Sequence, residues 1–99
     1  MKTRAMPGRG RTVEAFGVLS DTTRWRLVQH LAASGATVGK LAQTLKLPQP
    51  AVSHHLGILR MNGFVTARRE GRFVHYRLVT DRVRSLADAL GLVLLAAGK

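Results

Sequence analysis

Cysteine is absent from this sequence and acidic side chains are scarce. Without cysteine there is no disulfide, no thiolate metal site and no cysteine nucleophile, and redox chemistry leaves the compartment open. Five Asp and Glu stand against 16 Lys and Arg, a formal charge of +11 over 99 residues. That imbalance points to a polyanionic partner. Long apolar runs are also missing. The longest tract, "ALGLVLLAAG" from Ala89 to Gly98, falls well short of the roughly 20 residues a bilayer requires, so no membrane partner is expected and the tract should be buried in protein. No apolar signal-peptide core follows the basic start "MKTRAMPGRGR", so the expected location is cytoplasmic, associated with the nucleoid. No internal repeat or low-complexity segment occurs, and the length suits one domain.

What is present reads as short amphipathic helices. Residues 1–11, with Lys2, Arg4, Arg9, Arg11, Pro7, Gly8 and Gly10, have the composition of a flexible basic arm. The domain proper is expected over residues 12–98. Val13, Phe16 and Leu19 share one helical face, and Ser20 or Asp21 offers an N-cap oxygen for the next helix. There Trp25, Val28, Leu31 and Ala32 recur at helical spacing toward the core, and Gly35 supplies a left-handed helix end. Thr37 caps a shorter helix with Val38, Leu41, Ala42 and Leu45 buried, which must end by Pro48. Pro50 opens a fourth helix that runs to about Asn62, since a first-turn residue needs no N–H. Val52, Leu56 and Leu59 face inward on it, leaving Gln49, Ala51, Ser53, His54 and Gly57 outside.

The period then changes to two. "FVTARREGRFVHYRLV" alternates as two strands of a hairpin with Glu70 and Gly71 at its tip, where glycine can take the positive φ of a tight turn. Arg68, Arg69 and Arg72 crowd that tip. Thr80 or Asp81 then caps a last helix from about Arg82, apolar along Val83, Leu86, Leu90, Val93, Leu94 and Ala97 and widened by Leu92 and Leu95. That face is too broad for a solvated helix, and self-association is its expected use.

The order of elements is mainly α with a small β-hairpin, four helices followed by the hairpin and a closing fifth helix, the outline of a dimeric winged helix-turn-helix. In that outline the second helix of the pair enters the major groove of double-stranded DNA, and the wing lies on phosphates or in the minor groove. Gln49 can pair with adenine, and Ser53 and His54 can meet base edges. Alone they would be ordinary solvated helix residues; the surrounding pattern gives them a role. Three guanidinium groups against one Glu70 suit phosphate binding, and Lys40 and Lys46 border the helix pair as anchors that do not read sequence. His55, beside Leu56, should serve the fold first and phosphate second.

Catalysis is not expected. Adjacent helical residues diverge by about 100°, so Ser53 and His54 cannot share an activating hydrogen bond, and no acid completes a triad. Neither histidine has a His or Glu three or four positions away, so no metal or cofactor site is expected. Two other readings stay open: an architectural protein that binds DNA without sequence preference, and a winged-helix module that docks a protein partner.

The strings "LSDTTRWRLVQHL", "VGKLAQTLKLPQPAVSHHLGILRMNGFV" and "RREGRFVHYRLV" resemble the ArsR/SmtB family of small dimeric winged-helix repressors, over about Phe16 to Val79. The resemblance implies a homodimer assembled through the first and last helices, around Phe16, Leu86, Leu90, Val93 and Leu94. It also implies repression from an imperfect inverted repeat at a promoter, with Gln49, Ser53 and His54 toward DNA. The family's cysteine metal site falls on Val38, Gly39 and Lys40. Its closing-helix metal site finds Asp81 and Asp88 without a histidine, and thiol sensing has no thiol. An unknown small-molecule or protein effector remains, or control by abundance, or a metal site of other make-up using His30 or His75.

Overall fold

Capping, turn chemistry and apolar stripes divide residues 7–98, which the computed structural model describes, into five helices and three strands. These are α1 (Pro7–Leu19), α2 (Thr22–Ala33), β1 (Ala36–Thr37), α3 (Val38–Leu45), α4 (Gln49–Met61), β2 (Val65–Glu70), β3 (Phe73–Leu78) and α5 (Thr80–Ala97). The first helix thus begins inside the stretch expected to be an arm, and residues 1–6 of that arm lie outside the described residues. Proline at a helix start has no N–H to lose, so Pro7 is compatible with the earlier boundary.

Asp21 caps α2 by accepting the Arg24 N–H at 3.0 Å. That bond, aided by the Arg24 charge, holds the Asp21 carboxyl below its ordinary value. With a folded pKa lowered, the cap's contribution is present above the usual carboxylate range and is lost as the pH falls through the lowered value. The buried stripe of α2 is Leu27, Val28 and Leu31, while Trp25 is 48 % exposed and Ala32 also faces solvent. The expected face is therefore corrected by a rotation toward Leu27. Among the described side chains of α1 the buried one is Ala15, Val13 being exposed and Phe16 and Leu19 only half-buried.

Gly35 does not end α2 in a left-handed conformation. Ser34 is the C-cap at φ −171°, and the glycines with positive φ are Gly63 and Gly71 among the described residues. Gly35 is needed for closeness instead: a Cβ there would meet the Tyr76 carbonyl oxygen at 3.0 Å and the Arg77 Cγ at 3.1 Å. The close approach leads into β1, a strand too short to show a sequence period. It pairs antiparallel with β3, Ala36 opposite Tyr76 and Thr37 opposite His75, giving a three-stranded sheet in the order β1-β3-β2. The wing is thus braced at its root, where the sequence suggested a lone hairpin.

Thr37 caps α3, accepting the Lys40 N–H at 3.2 Å. The helix ends on Lys46 at φ 58°, the one non-glycine with positive φ among the described residues. The Leu47 N–H returns to the Ala42 carbonyl at 3.0 Å, the long-reach bond that closes a left-handed helix end. A Cβ in this conformation costs about 1–2 kcal/mol. Lys46→Gly should relieve that strain, less the extra freedom gained by the unfolded chain, and raise stability by about 0.5–1 kcal/mol. A higher denaturant midpoint at unchanged slope would register it.

Pro48 stands at the N-cap of α4 and Pro50 in its first turn, while Val52, Leu56 and Leu59 are wholly buried. After Asn62 and Gly63, Phe64 enters the core with no exposed surface and donates its N–H to the Leu59 carbonyl at 2.9 Å. The first residue before α5 to act as cap is Val79, with no side-chain bond, so Thr80 and Asp81 lie in the first turn and not ahead of it. Asp81 there suits the positive end of the helix and pairs with Arg84 at 3.0 Å. Among the described residues Leu86 is the only buried side chain of α5; Leu90, Leu92, Val93, Leu94 and Leu95 are all exposed.

Candidate nucleic-acid interface

Burial of one side of α4 decides what its other side presents. With Val52, Leu56 and Leu59 sealed, Gln49, Ser53, His54 and Gly57 are exposed and Ala51 is half-buried at the margin. Gln49 is held close to α3: a Cβ on Gly39 would stand 3.7 Å from its amide nitrogen. An alanine at Gly39 would meet this amide at ordinary van der Waals distance.

A cleft of about 280 Å³ joins Gln49 to the start of α3 at Thr37 and Gly39 and to the wing at Arg72 and Phe73. The wing tip and the start of α4 therefore border one depression. The turn itself is Gly71 and Arg72, with Glu70 paired to Phe73 across the strands, one position later than expected. Gly71 has φ 64° and Arg72 does not share the positive φ, the pattern of a two-residue turn with glycine first.

The three wing arginines do not converge on one face. Arg68 lies opposite His75 and Arg69 opposite Val74, and neighbours along a strand point to opposite sides. Arg68 also stands 3.8 Å from Glu70, whose other oxygen is 3.6 Å from His75. All three arginines are exposed, as are Lys40 and Lys46.

His55 is tied into the fold. Its Nδ1 accepts from Arg24 Nη1 at 3.1 Å and lies 3.9 Å from the Asp21 carboxylate. The same guanidinium donates through Nε to the Val18 carbonyl at 2.7 Å, so Arg24 links α1, α2 and α4. At the C-terminal end of α4, Arg82 donates to the Asn62 carbonyl at 3.1 Å and rests 5.3 Å over the Phe64 ring. Neither arginine was singled out from sequence; each sits on a helix whose apolar stripe says nothing about its polar reach.

Among the described residues no group of three or more His, Asp or Glu could hold a metal ion, and no helix is long and apolar enough to cross a membrane. A further depression of about 380 Å³ between α1, α2 and α5 is lined almost wholly by hydrocarbon, including Phe16, Trp25, Val83, Leu86 and Leu90.

A short helix, a left-handed turn and an exposed second helix beside a braced β-wing define a winged helix-turn-helix. The helix-turn-helix domain model matches residues 19–68. Over 77 residues the chain is 42 % identical to an HTH-type transcriptional regulator of Methanocaldococcus jannaschii, MJ1325, covering 77 % of this chain and 86 % of that protein. It is likewise 42 % identical to the transcriptional repressor SmtB homolog of Synechocystis over 74 % of this chain, but it spans little more than half, 55 %, of that relative. The solved ArsR-like transcriptional regulator from Rhodococcus sp. RHA1 superposes with a TM-score of 0.80 at 26 % identity, over 91 % of this chain and 85 % of that one. The chain belongs to the ArsR/SmtB family of winged-helix transcriptional regulators.

Proposed function

We propose that the protein is a homodimeric repressor that binds an imperfect inverted repeat at a promoter, with α4 in the major groove. The observation that carries this reading is the exposed row of Gln49, Ser53 and His54 on a helix whose opposite side is sealed by Val52, Leu56 and Leu59. A fixed helix with base-competent side chains reads sequence, whereas mobile cations only hold phosphates. Arg68, Arg69 and Arg72, with Lys40 and Lys46, supply those phosphate contacts. The unburied apolar side of α5, with Phe16 of α1, supports the second half of the reading, a twofold partner that doubles the site.

The test is a titration against the duplex upstream of the protein's own gene and against a shuffled duplex, across a salt series. Specific binding should exceed non-specific by about a thousandfold or more. His54→Ala should relax base preference by about 1–3 kcal/mol and leave shuffled DNA untouched. Arg69→Ala and Arg72→Ala should each weaken both duplexes alike and lower the salt slope by about one. Equal binding of the two duplexes, steep in salt, would replace the repressor with an architectural protein.

A further inference from the structure

Phe73 is a large apolar side chain on the wing that neither the core nor the apolar side of α5 explains. It is 57 % exposed, and apart from Met61 the other exposed large apolar residues are on α1, α2 and α5. Along β3, Tyr76 and Leu78 pack against the core, and Phe73 stands on the opposite face of the sheet from Val74 beside them. The two-residue turn at Gly71 and Arg72 presents it next to a guanidinium, and the pairing of Phe73 with Glu70 fixes its backbone. It lines the same cleft as Gln49, at the side of α4.

A phenyl ring has no donor for a phosphate, so its place on so basic a wing calls for a different contact. Apolar side chains that reach the minor groove wedge between base steps, and flexible pyrimidine–purine steps open most readily. We propose that Phe73 is a specificity-determining residue, an apolar wedge at the wing tip that selects a deformable step in the minor groove flanking each half-site. Arg72 beside it would hold the adjoining phosphate. The inference rests on the duplex-reading function proposed above.

Selection from duplexes randomised both in the half-sites and in their flanks tests it, using the full chain and its Phe73→Ala and Phe73→Leu variants. The wild type should enrich TA or CA/TG steps at a fixed flanking position. Phe73→Ala should lose that enrichment, keep the half-site preference, and bind the selected duplex about tenfold more weakly, near the low end for losing an aromatic–base contact. Phe73→Leu should retain the flanking preference, since leucine also wedges. Flanks that are unselected by the wild type, or selected equally by Phe73→Ala, would overturn the wedge while the half-site preference stands. A wild type with no preference anywhere would overturn the duplex-reading function and the wedge with it. An altered oligomeric size in Phe73→Ala would assign the ring to a protein contact instead.

Discussion

Phe64→Ala should destabilise the domain by about 3–5 kcal/mol. The side chain has no exposed surface, and its backbone ties α4 to the start of α5: the N–H reaches Leu59 of α4 and the carbonyl accepts from Val79 ahead of α5 at 2.8 Å. Truncation removes the ring's burial, leaves a cavity and strips the Arg82 guanidinium of the face it rests on. Domains of this kind hold only about 5–15 kcal/mol in all, so the loss is a large fraction. Urea titration followed by circular dichroism measures it. Phe64→Leu, which keeps most of the hydrocarbon, should lose much less; equal losses would mean that the ring's shape and its arginine, and not its volume, carry the stability.

Val93→Asp combined with Leu94→Asp should yield a folded monomer that binds the inverted repeat about a hundredfold more weakly, because two linked half-sites no longer act as one. Both side chains are exposed in the single chain, at 66 % and 72 %, so the change should spare its stability. Carboxylates placed in a dry interface, by contrast, cannot be solvated or paired. Sedimentation velocity gives the size and a single half-site duplex gives the residual affinity, which should match that of one wild-type half. A variant that stays dimeric at full affinity would move the interface away from α5.

The helix pair and the wing were legible because they obey strong local rules. Val52, Leu56 and Leu59 recur at helical spacing, Pro50 marks a first turn, and Gly71 marks a hairpin. What escaped has a common physical cause: it depends on a distant neighbour. β1 exists because Gly35 lets the chain lie against Tyr76, and two residues cannot display a period. Lys46 takes a left-handed conformation that glycine would announce, closed by the return of the next N–H, that of Leu47, to the Ala42 carbonyl. Trp25 fits the helical stripe by spacing, but α5 leaves an open groove beside it where core was expected. The separation of Arg68 from Arg69 follows from strand alternation, which a count of charges on a turn ignores.

Arg24 and Arg82 give the regulator the character of a gauge. One guanidinium bolts the middle of α4, at His55, to the last turn of α1 through Val18, and the other bolts its C-terminal end to the first turn of α5. In the proposed dimer, α1 and α5 form the seam between copies, and the two readers must stand one duplex turn apart, about 34–36 Å. Because each reader is fastened to the seam helices at its middle and at its C-terminal end, a small change in their crossing angle becomes an error of phase along the DNA. A molecule or protein lodged at the seam would thus act without touching α4, by putting the two halves out of step with the pitch of the double helix.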